Sequence, residues 1–278
     1  MNYGSDYKEL RPNGDMDARR KYWDVAKGLQ EADGLLTSDY LEEVAEATVT
    51  GRYSLGEALD VLGAHYSDVS YGGPGADFME ADIVSARIVE LLETGTFKLS
   101  PAALLSMHRR LFRDVFPYDW VGQWRTTNIS RRQEVIRGRS VQYADHTEIG
   151  DLLSYEFDRE KESRYTLPLG ASQISRLARF TADVWQIHPF RDGNTRTIST
   201  FLIKYLSNLG IKVNNDPFAE KTDWFRNALV RYHYTNLDLG IESDAVPLGM
   251  FFENLLLDAG HDLDSIDLYS GRVGVSDS

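Results

Sequence analysis

The stretch from Ile187 to Thr197, IHPFRDGNTRT, decides how this chain is interpreted. Between His188 and Arg196 it places a base, a carboxylate, two loop-favouring residues and a cation close together. Pro189 disfavours helix at His188, and both flanking segments carry apolar residues at helical spacing. We therefore predict a loop that leads into a helix N-terminus, where free backbone N–H groups and the helix dipole bind anions.

Helical periodicity dominates the sequence on both sides of this loop. Helices are predicted at 16–29, 39–49, 54–62, 77–95, 100–116, 147–160, 171–187, 194–209, 218–234 and 246–258. Ser38, Ser54 and Ser100 are suited to cap three of them. Residues 120–145 are instead rich in β-formers, with pieces at 124–129, 135–136 and 141–143 that predict a hairpin or flap. The fold class is mostly α with one small β element.

The stretch SYGGPGAD, Ser70–Asp77, is the best linker candidate in the chain. It divides a small N-terminal helical module, residues 1–70, from a larger core at 77–260. A polar C-terminal tail, residues 261–278, completes the predicted organisation.

Composition narrows the classes of protein to consider. The 278 residues are 42% hydrophobic, which supports a substantial core. The chain contains no cysteine, so disulfides, thiolate metal sites and cysteine nucleophiles are excluded. An apolar run of transmembrane length is missing and the N-terminus lacks an apolar signal core. These observations favour a cytoplasmic protein without membrane association.

The net charge of −13 argues against general nucleic-acid binding. The charge is uneven, because eight arginines lie between Arg109 and Arg139. Individually each arginine is best read as part of a solvated basic face. As a group beside a phosphate-binding loop, they would help to attract an anionic nucleotide.

At this loop the sequence resembles the Fic family of nucleotidyl transferases. The family motif is His-x-Phe-x-Asp/Glu-Gly-Asn-Gly-Arg-x-x-Arg, and the chain reads HPFRDGNTRTIS from His188 to Ser199. The resemblance extends through the helices from about 77 to 240 and includes GQWRT at 122–126 and SVQY at 140–143. It implies a Fic-type helical bundle with a small β-hairpin flap beside the active-site loop.

The resemblance further implies an enzyme that transfers AMP from ATP to a Ser, Thr or Tyr hydroxyl of a target protein. His188 would be the general base, since its ordinary pKa lies near neutrality. Asp192 would hold Mg²⁺. The phosphates would be bound by Gly193, Asn194, Thr195 and Arg196.

Two further regions are assigned roles by the same resemblance. A flap would align the target segment by strand addition, with its docking span at Glu134, Val135, Ile136, Arg137 and Gly138; an ordinary surface hairpin is the alternative. The nucleotide base would contact Phe225 and Tyr232 on the helix after the motif, although aromatic residues at helical spacing more commonly belong to a core.

The chain departs from the family motif at two positions. Thr195 replaces the third glycine, and Ser199 replaces the second arginine. In the family that arginine steadies the γ-phosphate, so its loss removes a charge-assisted contact of about 1.5–3 kcal/mol. A different nucleotide donor, a phosphotransfer reaction or a weakly active protein-binding module therefore stay open as alternatives.

The N-terminal module resembles the small antitoxin-type helical module of this family. Asp33 stands where an inhibitory glutamate belongs, and its expected partner is Ser199. We therefore hypothesise that the module packs on the core without inhibiting through that ion pair; the alternative is that Asp33 simply ends a helix. The target protein, the oligomeric state and the choice between toxin and regulator are not specified by the sequence.

Overall fold

The computed structural model describes residues 16–269, and this part of the chain is predominantly helical. The α-helices are α1 Met16–Glu31, α2 Asp39–Val49, α3 Leu55–His65, α4 Ala76–Glu93, α5 Pro101–Phe112, α6 Ile149–Lys161, α7 Ala171–Ile187, α8 Asn194–Asn208, α9 Asp216–Glu220, α10 Thr222–His233 and α11 Val246–Leu257. The predicted mostly α fold with one small hairpin is confirmed. Residues 1–15 of the predicted module and 270–278 of the predicted tail lie outside the described residues.

Local side-chain signals set three of the helix starts, as predicted. Ser38 and Ser100 each accept a hydrogen bond from a backbone N–H in the first turn of α2 and α5. Ser54 and Glu57 form a reciprocal capping box at the start of α3. These contacts satisfy donors that a helix leaves unpaired at its N-terminus.

The hairpin consists of β1, Ser130–Gln133, and β2, Arg139–Gln142, which pair antiparallel. The strands predicted at 124–129 and 135–136 are wrong. Residues 124–129 are irregular, and Glu134–Ile136 form a single 3₁₀ turn that links β1 to β2. Local β-propensity correctly indicated a hairpin in this part of the chain. The position of the 3₁₀ turn determines which residues pair between the two strands.

Two predicted helices are longer than the structure allows. The helix predicted at 100–116 ends at Phe112, because Arg113 leaves the helical conformation and Asp114 has a φ of +62°. The helix predicted at 218–234 is two helices, α9 and α10, which are separated at Lys221, where φ is −130°.

The N-terminal helices share the hydrophobic core of the rest of the chain. Trp23 and Leu29 of α1 are fully buried in the same cluster as Trp185 of α7 and Phe201 of α8. α1 packs against α4 and α9. Whether residues 1–70 form a domain of their own stays a prediction. Within residues 16–269, every helix is too short or too polar to cross a bilayer.

A close backbone contact fixes α1 on α9. A Cβ atom added at Gly28 would lie 2.5 Å from the carbonyl oxygen of Ala219 and 2.7 Å from that of Phe218. Neither carbonyl can move without displacing α9. Only glycine therefore permits this approach of the two helices.

Replacing Gly28 with alanine should lower the free energy of unfolding by about 1–3 kcal/mol, because the new methyl group collides with backbone atoms. Gly63→Ala is the matched control, since a Cβ at Gly63 in α3 meets open space. Alanine there should be neutral or stabilising by up to about 1 kcal/mol. Urea unfolding measures both, and equal stability of the two variants would contradict the packing of α1 on α9.

Candidate active site

The motif loop joins the end of α7 to the start of α8. His188 ends α7 in the left-handed conformation, with a φ of +51°, and Gly193 precedes α8 with a φ of +71°. A Cβ at Gly193 would lie 2.3 Å from the ring of Phe112. Close packing and backbone conformation both require glycine at this point.

Asn194 closes the loop with its side chain. Its Oδ1 accepts a hydrogen bond from the backbone N–H of Phe190 at 2.9 Å, and its Nδ2 donates to the carbonyl of Phe190 at 2.8 Å. The side chain is therefore occupied by the loop itself. The backbone N–H groups of Asn194, Thr195 and Arg196 begin α8, so they have no carbonyl partner within the helix and form an anion-binding terminus.

His188 is held with one ring nitrogen available as a base. Its Nδ1 lies 3.0 Å from the carbonyl oxygen of Trp185, so Nδ1 carries the proton and Nε2 is the acceptor. The ring stacks on Tyr143 with 3.7 Å between centroids. Burial lowers the pKa of His188 to about 3, so the imidazole is neutral near pH 7.

Arg125 ties the His188 backbone to the segments that flank the hairpin. Its buried guanidinium donates to the carbonyls of His188 at 2.8 Å, Ile187 at 3.3 Å and Thr127 at 2.8 Å, and also to Ala144. Four carbonyls on three chain segments thus converge on one rigid donor group. Arg125 positions the end of α7 relative to the hairpin.

His108 of α5 also holds the motif loop in place, a role that the sequence did not predict. The N–H of Gly122 donates to its Nδ1 at 3.0 Å, which leaves Nε2–H to donate to the carbonyl of Asp192 at 3.1 Å. Its ring stacks on Phe190 at 3.9 Å. Burial lowers the pKa of His108 to about 3. The only sequence signal was its place on the apolar face of a predicted helix.

Arg196 is fully buried and surrounded by carboxylates. It contacts Asp33 at 2.9 Å and Glu80 at 2.7 Å, and lies 3.9 Å from Asp192. Its guanidinium also donates to Gln30 at 3.0 Å. Burial opposes its charge, but these carboxylates outweigh that effect and hold the pKa of Arg196 above its ordinary value.

Asp33 contacts Arg196 and Arg131, and not Ser199, which stands at the position where its partner was expected. One carboxylate oxygen of Asp33 contacts Arg196, and the other lies 3.7 Å from the guanidinium of Arg131 on β1. Ser199 of α8 is fully buried. The acidic residue of the N-terminal module therefore contacts the first motif arginine and an arginine of the hairpin. Sequence spacing did not reveal either contact.

A cavity of about 320 Å³ opens beside this loop. His188, Asp192, Asn194 and Thr195 line one side, so the structure brings together most of the predicted motif residues. Asp33, Ile129, Ser130, Arg131, Tyr143 and Arg191 complete the lining. The Thr195 hydroxyl accepts a hydrogen bond from the indole N–H of Trp185 at 3.1 Å, which draws its side chain toward α7.

Asp192 is the residue of the loop that best suits a hard cation. Its side chain is 52% exposed, and its Oδ1 accepts the N–H of Gly193 at 2.6 Å. Mg²⁺ commonly takes one or two carboxylates and completes its shell with phosphate oxygens and water. In residues 16–269 no group of three or more acidic or histidine side chains is arranged to hold a metal alone. The donor set fits a cation that arrives with a phosphate.

The two residues predicted for the base pocket lie elsewhere. Phe225 is fully buried and packs on Phe218 and Phe251, so it belongs to the core. Tyr232 lines a separate cavity of about 560 Å³ between α6, α7 and α10. Neither residue lines the cavity at His188, because α10 directs these side chains toward other helices.

The residues predicted to dock the target, 134–138, form the turn of the hairpin and not its strands. Glu134–Ile136 form the 3₁₀ turn, Val135 and Ile136 are buried, and Arg137 and Gly138 have positive φ. Such a turn offers no strand edge. The extended backbone of the hairpin lies in β1 and β2, and Ser130 and Arg131 of β1 line the cavity.

Comparison with known proteins agrees with this geometry. Residues 98–206, from α5 into α8, match the profile of the Fic/DOC family. Helix α7 and the motif loop lie within the matched segment. A Fic family protein from Desulfovibrio desulfuricans G20 has the same fold, with a TM-score of 0.51 and 14% identity over 85% of this chain and 62% of that one.

Two relatives carry the name protein adenylyltransferase. VbhT of Bartonella schoenbuchensis is 26% identical over 134 residues, which are 48% of this chain and 26% of VbhT. The probable protein adenylyltransferase y4lH of Sinorhizobium fredii is 27% identical over 156 residues, which are 56% of this chain and 75% of that protein. The matched part of the chain thus spans about a quarter of VbhT and three quarters of y4lH.

Replacing His108 with phenylalanine should destabilise the fold and reduce its sensitivity to acid. Phenylalanine keeps the stacking on Phe190, but the N–H of Gly122 and the carbonyl of Asp192 lose their hydrogen-bond partner. Each unsatisfied group should cost about 1–3 kcal/mol of stability. Folded His108 stays neutral down to a pKa of about 3, whereas the unfolded chain takes up a proton below about pH 6.5. Its contribution to stability is therefore present above pH 6.5 and falls by about 2 kcal/mol by pH 5.

Urea unfolding at pH 7.5 and pH 5 measures both effects. The His108→Phe variant should be less stable at pH 7.5, and its loss on acidification should be smaller than that of the wild type by about 2 kcal/mol. A variant that keeps the full wild-type difference between the two pH values would show that His108 is not buried in its neutral form.

Proposed function

We propose that this chain transfers AMP from ATP to a hydroxyl group of a protein, with His188 as the general base. The observation that carries the proposal is the fixed tautomer of His188. Its Nδ1 is committed to Trp185, and the ring lines a cavity that also contains the N-terminus of α8. A base thus stands beside an anion-binding helix terminus. Two relatives named as protein adenylyltransferases support the same reaction.

The proposed reaction requires one proton transfer and one in-line substitution. Nε2 of His188 takes the proton of the attacking hydroxyl, whose oxygen forms a bond to the α-phosphorus of ATP. The bond from that phosphorus to the bridging oxygen of the β-phosphate breaks, and pyrophosphate leaves. The N–H groups at the start of α8 stabilise the charge that develops on the phosphate oxygens.

Asp192 is the proposed ligand for Mg²⁺. When bound, the cation would neutralise phosphate charge and orient the leaving group. Burial keeps His188 neutral, and Arg125 fixes its backbone, so the base is oriented before substrate arrives. Orientation in advance removes part of the entropy cost of the reaction.

The proposed partner is a protein that presents a hydroxyl side chain in an extended segment. Backbone groups of β1 and β2 would align that segment by strand addition, which tolerates varied target sequences. The placement of Ser130 and Arg131 on the cavity wall supports a hairpin role beside the reacting groups. The strands, rather than the turn at 134–138, supply this contact.

Transfer of the terminal phosphate is the second candidate. It is favoured by the replacement of the second motif arginine with Ser199, which is fully buried and does not line the cavity. A donor that binds in another orientation would expose its γ-phosphate rather than its α-phosphate to the hydroxyl. The position of the label in the transferred group separates the two reactions.

Incubation with Mg²⁺, ATP labelled at the α- or γ-phosphate, and a cell lysate as the source of hydroxyl targets tests the proposal. The α-label should enter protein, and His188→Ala should lower incorporation by roughly 10²–10⁴-fold. His65→Ala, at an exposed histidine of α3, is the control and should stay near the wild-type rate.

Incorporation of the γ-label alone would replace the proposal with phosphotransfer. If His188→Ala and His65→Ala incorporated the α-label equally, His188 would not be the base.

A further inference from the structure

The cavity of about 560 Å³ between α6, α7 and α10 is lined entirely by polar side chains. They are three arginines, three serines, a glutamate and a tyrosine. Positive charge thus predominates here, although the chain as a whole carries a net charge of −13. The volume lies in the range of small-molecule sites, whose lining is usually apolar. A polar and cationic lining instead suits a small anion.

One face of α7 supplies half of this lining. Its four residues follow the i, i+3, i+4, i+7 spacing that places side chains on one side of a helix: Ser172, Ser175, Arg176 and Arg179. The apolar residues of α7, such as Leu177 and Phe180, are buried in the hydrophobic core. The polar face of α7 is therefore turned toward the cavity, where α6 and α10 provide the other walls.

The three arginines of the cavity differ in their contacts. Arg159 of α6 is held by two carboxylates, since it contacts Glu156 and lies 2.6 Å from Asp183. Arg176 and Arg179, in contrast, form no hydrogen bond or ion pair with any residue from 16 to 269, although Arg176 is half-buried. A guanidinium group is a rigid set of donors that matches a phosphate. Two such sets are available in this cavity.

Carboxylates behind the cavity wall do not use these donors. Burial raises the pKa of Glu156, Asp183 adds to the rise, and the charges of Arg159 and Arg179 oppose it. Glu156 is nevertheless in contact with Arg159 and not with Arg179. The influence of Arg179 on Glu156 is thus a long-range attraction, which leaves its guanidinium free to bind an anion that enters the cavity.

The cavity is separate from the candidate active site. Among residues 16–269, none lines both this cavity and the one at His188. Arg176 precedes His188 by twelve residues along α7, which is about 18 Å of helix. An anion bound between α6, α7 and α10 would therefore be a different molecule from one bound at the start of α8.

We propose that the cavity between α6, α7 and α10 binds a small phosphate monoester, with Arg176 and Arg179 as the phosphate-binding residues. The hydroxyl groups of Ser172 and Ser175 lie on the same face of α7 and supply further donors. Tyr232 of α10 offers a ring face and a hydroxyl to the organic part of the ligand. A monoester fits better than free phosphate, because the cavity has room for a sugar-sized body beside the phosphate group.

Removal of either arginine should weaken the binding of ribose 5-phosphate, a probe that joins a phosphate monoester to a hydroxylated ring. Arg176→Ala and Arg179→Ala should each raise its Kd by roughly ten- to hundred-fold, the range expected for a charge-assisted hydrogen bond. Arg164→Ala is the matched control, because Arg164 is exposed in the segment between α6 and α7 and does not line the cavity. It removes the same charge from the same region and should leave the Kd unchanged.

A second pair of variants tests the position of the ligand without removing an arginine. Ser175 is exposed on the polar face of α7, so both substitutions should be compatible with the fold. Ser175→Asp places a carboxylate next to the phosphate, and repulsion between the two anions should abolish binding. Ser175→Asn adds a side chain of nearly the same size without the charge and should retain binding.

Isothermal titration calorimetry of the full chain measures these affinities, with ribose 5-phosphate, neutral ribose, inorganic phosphate and a phosphoserine peptide as separate probes. Ribose 5-phosphate should bind more tightly than inorganic phosphate or the peptide, and ribose should not bind. Circular dichroism checks that each variant is folded. If an arginine variant is not, the comparison of Ser175→Asp with Ser175→Asn decides whether the cavity is the site.

A wild-type protein that does not bind ribose 5-phosphate would overturn the proposal. Equal affinity of the Arg176→Ala and Arg164→Ala proteins, or of the two Ser175 variants, would place the ligand elsewhere, for example at the start of α8, and would also overturn it. Inorganic phosphate that binds as tightly as ribose 5-phosphate would reject a monoester as the ligand. Tighter binding of the phosphoserine peptide would replace the small molecule with a protein partner.

Discussion

The buried guanidinium of Arg196 is the constraint on which the rest of the structure depends. An unpaired charge in the interior is strongly unfavourable, so carboxylates must reach it. Asp33 comes from the turn after α1, Glu80 from α4 and Asp192 from the motif loop. Because these carboxylates lie on three separate segments, one cation fixes the N-terminal helices, the core and the loop relative to one another.

Some polar groups at the active site hold the motif loop in its conformation, and others are free to contact a ligand. The side chains of Asn194, His108 and Arg125 form hydrogen bonds with backbone groups of the loop and so position it. The N–H groups at the start of α8 and Nε2 of His188 are left to face the cavity. A site that is organised in this way needs little rearrangement when a substrate binds.

The features that the sequence predicted are those set by neighbours along the chain. The loop at His188–Arg196 and the serine caps depend on nearby residues, and both were located correctly. The roles of Phe225 and Tyr232 depend on which face of α10 meets the core, and helical spacing does not distinguish that face from the cavity. The partner of Asp33 depends on how α1 approaches α8, so only the three-dimensional arrangement could identify Arg196 and Arg131.

The coupling between Asp33 and Arg196 tests this account most directly. It is obtained by urea unfolding of the wild type, Asp33→Asn, Arg196→Gln and the double variant, since the cycle isolates the pairwise interaction. A buried pair at 2.9 Å should give a coupling energy of about 2 kcal/mol or more. A value below about 0.5 kcal/mol, as for an exposed ion pair, would contradict the central role of this contact.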